Sequence, residues 1–287
     1  MNRSTDTNTP FHFCLNTSTI KGQNLPLVRE IEVTAEAGYD GIEPWVREID
    51  AYDAAGGSLA QLRRIVEKAG LRVVNLIGFF EWGVDDDGRR RAGMAEARRA
   101  MRMAAEIGCP LVAAPPMGLT EIPGQDLLVL AQRYAELTAL GVEYGVVPVL
   151  EFWGMSKCLG RIGEAVMVAM ESGRPEACVL ADVFHMHKAG SNYESLKLAG
   201  PRTIGLVHMN DFPETPGIDA VTDADRVFPG DGVAPFGSII PALLTAGYRG
   251  MLSLELFNRE YWAMDAVAAA ATGLAKMKQV VDAARAG

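Results

Sequence analysis

Two hydrophobic periodicities alternate along the chain. Short apolar runs rich in Val, Ile, Leu and Phe are followed by longer segments in which apolar residues recur at helical spacing. Eight runs stand out, at 11–16, 39–45, 71–79, 110–116, 147–153, 177–184, 203–211 and 251–257. Helical segments lie between and after them, at 25–38, 58–70, 89–108, 127–145, 162–173, 192–200, 237–248 and 266–286. Strands that alternate with helices are joined by helical crossovers and are therefore parallel.

The alternation predicts an α/β protein with one domain, a (β/α)8 TIM barrel. The length of 287 residues is close to the ~250 that is typical of such barrels. An open doubly wound sheet is the alternative, but its first turn often carries GxGxxG, and the turn NTSTIKGQN lacks that motif. We expect residues 1–10, which are polar, to form a flexible N-terminal segment and residues 11–287 to form the barrel.

Composition narrows the classes of partner. The chain has 27 basic and 36 acidic residues and a net charge of −9, which argues against a nucleic acid or an anionic membrane surface. No apolar run approaches the ~20 residues of a membrane span, and the N-terminus does not resemble a signal peptide. The four cysteines are scattered without a CxxC pair, as in reduced proteins. We expect a cytoplasmic protein with a small-molecule partner, and a homo-oligomer is a further possibility.

Polar residues follow the predicted strands, at the end of the barrel where this fold carries its catalytic groups. The first three strands end at Asn16, at Glu43 and near Asn75, and the fourth ends at Pro115-Pro116 with no ionisable group. The last four end at Glu151, Asp182, His208 and Glu255. A single carboxylate at a strand end is more often a helix cap. However, Glu151 and Glu255 both interrupt apolar runs, where burying an unpaired carboxylate is costly in free energy. Three carboxylates and an imidazole predict one divalent ion: Mn²⁺, Mg²⁺, Co²⁺ or Zn²⁺.

The segment LADVFHMHKAG at 180–190 holds half of the four histidines of the chain. Asp182 belongs to the predicted ligands, and His185 follows in a loop from which it can turn back over the pocket. His187 is predicted to face solvent or to cap the next helix. The stretch between Asp211 and Gly232 is too long for an ordinary strand-to-helix loop, and long loops in compact domains are usually functional. Its length suggests that it closes over the mouth of the pocket.

The stretches LEFWG, ADVFHMH, HMND and LSLELF resemble the xylose-isomerase-like barrel superfamily of sugar isomerases and epimerases, over nearly the whole chain. Within it, the stretches LNTSTI, GYDGIE, GSNYESLK and TDADRVFPGDG are most similar to the inosose (2-keto-myo-inositol) isomerases of bacterial inositol catabolism. The superfamily includes endonuclease IV, whose three zinc ions need further histidines. Here strands 2 to 4 have no histidine and the DRH-like motif reads Asp225-Arg226-Val227, so DNA repair is not expected.

The resemblance implies a role for each matching residue. Glu151, Asp182, His208 and Glu255 correspond to the metal ligands, and manganese is among the expected ions. His185 corresponds to the histidine that contacts substrate hydroxyls, and Arg226 to the arginine that anchors substrate oxygens. In related ketose epimerases the two glutamate ligands are also the acid and the base, so Glu151 and Glu255 take these catalytic roles.

The expected function is a metal-dependent isomerase or epimerase of a neutral polyol ketone, such as an inosose, that works through a metal-bound cis-enediolate. The same ligands suit an inosose dehydratase, a keto-glycoside C–O lyase or a ketohexose 3-epimerase, and a metal-containing sugar-binding protein is the non-enzymatic alternative. No P-loop motif is present, so a phosphorylated substrate is not expected. Wall residues must select the outcome: Trp153, on which a sugar ring can stack, and Phe79, Phe80, Trp82 and Phe257 are the candidates.

Overall fold

Eight parallel strands form the barrel in a computed structural model that describes residues 9–286. They are β1 His12–Asn16, β2 Gly41–Glu43, β3 Arg72–Val73, β4 Leu111–Ala114, β5 Val147–Glu151, β6 Val179–Asp182, β7 Ile204–His208 and β8 Met251–Leu254. Their order is β3-β2-β1-β8-β7-β6-β5-β4. The Leu76 N–H donates to Leu111 O at 3.0 Å, and the Ala113 N–H donates to Leu76 O at 3.0 Å, which closes the ring between β3 and β4. The predicted single-domain TIM barrel is confirmed.

Helices follow the strands on the outside of the barrel. They are α1 Leu27–Ala37, α2 Val46–Ala54, α3 Leu59–Lys68, α4 Asp87–Ile107, α5 Leu127–Tyr144, α6 Ile162–Glu171, α7 Val183–Lys188, α8 Phe236–Thr245, α9 Arg259–Trp262 and α10 Ala266–Ala286. Two helix ends that were predicted from capping residues are confirmed. Gly38 ends α1 at a φ of 94°, which glycine adopts without strain, and the Ser58 side chain accepts from the Gln61 N–H at the start of α3.

Three local predictions need correction. The seventh predicted helix, at 192–200, is a 3-10 helix, Tyr193–Leu198. The short helix α7 begins directly after β6, and α2 begins at Val46, just beyond β2, in segments that the hydrophobic pattern had assigned to strand or loop. The third strand pairs regularly only at β3, because beyond Val74 its hydrogen bonds are divided between the segment that follows β2 and the strand β4 itself.

Positions 1–8 of the expected N-terminal segment 1–10 lie outside the described residues. Thr9 and Pro10 are described and are half-buried. No helix among residues 9–286 is both long and apolar enough to span a bilayer.

Alternation along the strands places a polar layer above an apolar one inside the barrel. The lower layer is an apolar cluster that includes Cys14, Val149, Leu180 and Leu206. Two residues further along each of these strands stands a buried polar side chain: Asn16, Glu151, Asp182 and His208. Because side chains two apart lie on one face of a strand, the carboxyl ends of the strands present these polar groups together.

Candidate metal centre

Three of the four predicted ligands meet at the carboxyl end of the barrel. Asp182 ends β6, His208 ends β7 and Glu255 follows β8, and one donor atom from each lies within 4.8 Å of the others. His208 Nδ1 is 3.5 Å from Asp182 Oδ2 and 3.1 Å from Glu255 Oε2. All three side chains are buried, so their charges interact with little screening by water.

The imidazole of His208 is oriented as a metal ligand would be. Its Nε2 lies 3.0 and 3.1 Å from the two carboxylate oxygens of Glu43, whereas its buried Nδ1 forms no aligned hydrogen bond within the described part of the chain. Burial lowers the pKa of His208, but the charges of Glu255 and Glu43 outweigh that effect and raise the pKa well above its usual value. The site therefore favours a positive charge at Nδ1, and a divalent cation between this nitrogen and the carboxylates fits the donor set.

Glu43 is the site residue to which sequence reasoning gave no role. Its buried carboxylate also accepts from Asn16 Nδ2 at 3.0 Å, Asn75 Nδ2 at 2.7 Å and Ser253 Oγ at 2.6 Å. Burial raises the pKa of Glu43, but the positive charge of His208 and these hydrogen bonds hold it below its usual value. Metal-binding histidines commonly donate their second nitrogen to a carboxylate. The position of Glu43 at a strand end, level with the ligands, was the available signal.

Glu151, the fourth predicted ligand, lies outside this group of three. It ends β5 and is 6% exposed. Burial raises its pKa to about 8; the charge of His208 opposes this shift, and the charges of Glu255 and Asp182 add to it. Glu151 thus faces the same charges without sharing the close contacts, and ligation by Glu151 stays a prediction.

Arg226 lies against the ligand carboxylates. Its Nη1 donates to Asp182 Oδ2 at 3.0 Å and to Glu255 Oε2 at 2.9 Å, and its Nη2 donates to Asp223 Oδ1 at 2.6 Å. The guanidinium is 1% exposed and lies 4.5 Å from the ring centre of Phe184. Burial raises the pKa of Asp182, but the charge of Arg226 is the main cause that reverses this and holds the pKa well below its usual value. The predicted substrate anchor is therefore in the site.

The two histidines after β6 lie in helix α7 rather than in a loop. Asp182 Oδ1 accepts from the His185 N–H at 2.8 Å, so the ligand also caps this helix. His185 Nε2 is 3.3 Å from Arg226 Nη2, and its buried Nδ1 has no partner among the described residues. His187 is half-buried in the last turn of α7, so the prediction that it faces solvent holds only in part. Its ring stacks on Phe212 at 3.7 Å between centroids.

Aromatic side chains form a wall above the polar layer. Trp153 contacts Phe79 at 6.0 Å, and Trp45 contacts Phe79 at 5.4 Å and Phe257 at 6.3 Å, between ring centroids. Trp45, Trp153 and Phe257 each stand two residues beyond a strand-end glutamate, which places them in the next layer upward. Two wall candidates were wrong: Phe80 and Trp82 are 3% and 0% exposed and pack in the core, and Trp45 was missed.

Comparison with known proteins agrees with this geometry. The xylose isomerase-like TIM barrel family matches residues 31–280. The chain belongs to this family. It is 30% identical over 277 residues to an inosose isomerase of Halalkalibacterium halodurans, covering 93% of this chain and 95% of the relative. A 3-dehydroshikimate dehydratase of Pseudomonas aeruginosa is 27% identical over 260 residues, which is 86% of this chain and 39% of that protein. A crystal structure of the IolI protein with a bound zinc atom superposes with a TM-score of 0.88 at 26% identity, covering 95% of this chain and 99% of IolI.

Proposed function

We propose that this protein isomerises or epimerises a neutral cyclic polyol ketone of the inosose type with the help of one divalent metal ion. The observation that carries the proposal is the buried Nδ1 of His208, which forms no aligned hydrogen bond with any residue from 9 to 286 and faces the carboxylates of Asp182 and Glu255 beside Arg226. The class of reaction predicted from the sequence, an isomerase or epimerase, is confirmed by the relatives that carry the name inosose isomerase.

Asp182, His208 and Glu255 would hold the ion, with Glu151 as the proposed fourth ligand. Imidazole and carboxylate donors suit Zn²⁺, Mn²⁺ and Co²⁺, and Mg²⁺ when oxygen predominates. We favour zinc, since IolI contains it. When bound, such an ion would supply Lewis acidity, which acidifies the proton on the carbon next to the carbonyl.

Glu151 and Glu255 would move the proton. They come from β5 and β8 and thus reach the substrate from different sides of the barrel mouth. In the metal-free protein burial raises the pKa of Glu151 to about 8, so this carboxyl group takes up a proton more readily than an exposed glutamate and is suited to return one to the substrate. Glu255 presents the carboxylate that takes the proton beside the carbonyl. The reverse reaction exchanges the two roles.

The other side chains would hold the substrate. Arg226 and His185 have buried polar atoms beside the ligand carboxylates, where they would bind hydroxyl oxygens. The rings of Trp45, Phe79, Trp153 and Phe257 form the apolar side. A site that combines polar groups with aromatic rings would suit a substrate ring that has hydroxyls at its edge and C–H bonds on its face.

The test is proton exchange in deuterated water, followed by NMR with a panel of inososes and ketohexoses. The protein is depleted of metal with EDTA and then restored with Zn²⁺ or Mn²⁺. We expect exchange of the proton beside the carbonyl, and formation of an isomer without loss of water, only in the restored protein. Full activity without metal would refute the mechanism. Absence of exchange with every compound would favour a sugar-binding protein.

A dehydratase is the second candidate, because the Pseudomonas aeruginosa relative carries that name. Its first step is the same proton removal, but a β-hydroxyl then leaves. The same NMR experiment separates the two, since a dehydratase forms an unsaturated product.

A further inference from the structure

Asp211 lies at the base of the long loop between β7 and α8, residues 212–235, and its carboxylate is fully buried. Among residues 9–286 no Lys or Arg side chain forms an ion pair with it. Four backbone N–H groups donate to it instead. Oδ1 accepts from Phe212 and Ala234, both at 2.8 Å, and Oδ2 accepts from Gly230 at 2.9 Å and Gly232 at 3.0 Å. Charge-assisted bonds of this kind are among the stronger hydrogen bonds in proteins.

These donors come from both ends of the loop, so one carboxylate ties its beginning to its end. The closure needs a glycine at 232. A Cβ there would lie 2.2 Å from Phe212 O and 2.4 Å from Asp211 Oδ1. The loop is therefore a closed and pinned structure, in contrast to a flap that swings over the pocket.

The same residue also holds the middle of the loop through its backbone. The Asp211 N–H donates to Val227 O at 3.1 Å, and the Val227 N–H donates to Asp211 O at 2.9 Å. Val227 directly follows Arg226, whose carbonyl accepts from Asn258 Nδ2 at 3.0 Å. Asp211 thus determines where the backbone of Arg226 sits relative to the end of β7. The first half of the loop has a separate anchor in Lys188, whose Nζ donates to three carbonyls there.

We propose that Asp211 is a positioning residue for Arg226: by tying the loop to the end of β7 it aims the guanidinium at Asp182 and Glu255. The effect on turnover rests on the proposed function. The effect on the position of Arg226 does not.

The first test is Asp211→Asn. An amide has one acceptor oxygen where the carboxylate has two, so two of the four N–H groups lose their partner. Phenylglyoxal labelling of arginines, mapped by mass spectrometry, reports the position of Arg226 without any assay of activity. We expect labelling of Arg226 to accelerate by at least about tenfold, because loss of these bonds shifts the local opening equilibrium. Arg133, which bonds to Gly83 O and Asp85 on another part of the barrel, should stay protected.

The matched control is Asp231→Asn. Asp231 is an exposed carboxylate of the same loop and pairs with Lys276. We expect this variant to label and turn over like the wild type. Gly232→Ala is the second test, since it opens the same closure sterically and keeps the carboxylate. It should expose Arg226 as well.

Activity supplies the second readout. Misplacing a binding group by ~1 Å costs roughly 10²-fold in rate, so kcat/KM for the exchanged proton should fall by that order in Asp211→Asn. In an Arg226→Ala background the same change should have almost no further effect, because residues that act through one another are not additive.

Several results would overturn the proposal: Arg226 protected in both Asp211→Asn and Gly232→Ala, equal exposure of Arg133, additive losses in the double variant, or loss of cooperative unfolding in both variants, which would mean a global role. If the wild type exchanges no proton with any polyol ketone, the proposed function fails, while the labelling still decides the role of Asp211.

Discussion

Replacing Glu43 by Gln should weaken divalent-metal binding without removing any ligand. The Glu43 carboxylate holds His208 Nε2 at 3.0 and 3.1 Å and leaves Nδ1 free to face Asp182 and Glu255. Carboxylates behind metal-binding histidines fix the tautomer and the ring orientation, and their loss typically costs roughly 10- to 100-fold in metal affinity.

The hydrogen bonds around Glu43 give a similar magnitude. An amide at this position has one acceptor oxygen, so its NH2 group must face the amide donor of either Asn16 or Asn75, which now bond at 3.0 and 2.7 Å. One buried donor then loses its partner, at a cost of about 1–3 kcal/mol. Without metal, the side chains around the new amide can rearrange and regain the lost hydrogen bond. Bound metal holds His208 in place and keeps that donor unpaired, so the cost lowers the metal affinity. At a factor of ten for each ~1.4 kcal/mol, the affinity should fall roughly ten- to hundredfold.

The assay is titration of metal-depleted protein with Zn²⁺ in competition with a chromophoric chelator. Glu164→Gln is the control, because Glu164 accepts from the backbone N–H groups of Gly160 and Arg161 at the start of α6, outside the site. Thermal unfolding of the metal-free proteins checks that both variants fold. Wild-type affinity in a folded Glu43→Gln variant would show that Glu43 does not orient His208 for a metal.

Four further outcomes are expected. Glu151→Gln and Glu255→Gln should each lower turnover by ~10²–10⁴-fold, with greater loss of zinc affinity for Glu255, which belongs to the close group; equal zinc losses would contradict this. Because burial raises the pKa of Glu151 to about 8, the folded state binds this proton more tightly than the unfolded chain does. The metal-free wild type should therefore lose stability as the pH rises from about 4.5 to 8, and Glu151→Gln should flatten that part of the melting-temperature profile. His185→Ala should reduce kcat and keep zinc, whereas His187→Ala should cost about 0.5–1.5 kcal/mol of stability through its lost stacking on Phe212 and keep most turnover; reversed effects would exchange their roles. Arg226→Lys should raise KM or lower kcat, because an ammonium cannot replace the planar fork that reaches Asp182, Glu255 and Asp223, and unchanged kinetics would place it outside the substrate site.

Local errors in the sequence prediction came from side chains whose surroundings lie far away along the chain. Phe80 and Trp82 stand near a strand end, as Phe79 does, but only Phe79 is exposed, at 43%. The indole of Trp82 donates to Pro115 O and packs on Tyr134, and neither contact leaves a mark in local spacing. The stacking of His187 on Phe212 is likewise a contact with a residue from another part of the chain, which local spacing does not reveal.

The sequence by itself determined the barrel and most of the site's inventory. Alternation of two periods predicts parallel strands, and parallel strands in a barrel end at one edge, so Asp182, His208 and Glu255 could be expected to meet. Only the tertiary structure decided how they meet. Glu43 bonds to His208 across 165 positions of sequence, Arg226 bridges Asp182 and Glu255, and Glu151 stays outside the close group. The physical reason is that strand order and register around the closed ring, together with the loops packed above it, set the distances between side chains, and no spacing along the chain encodes those distances.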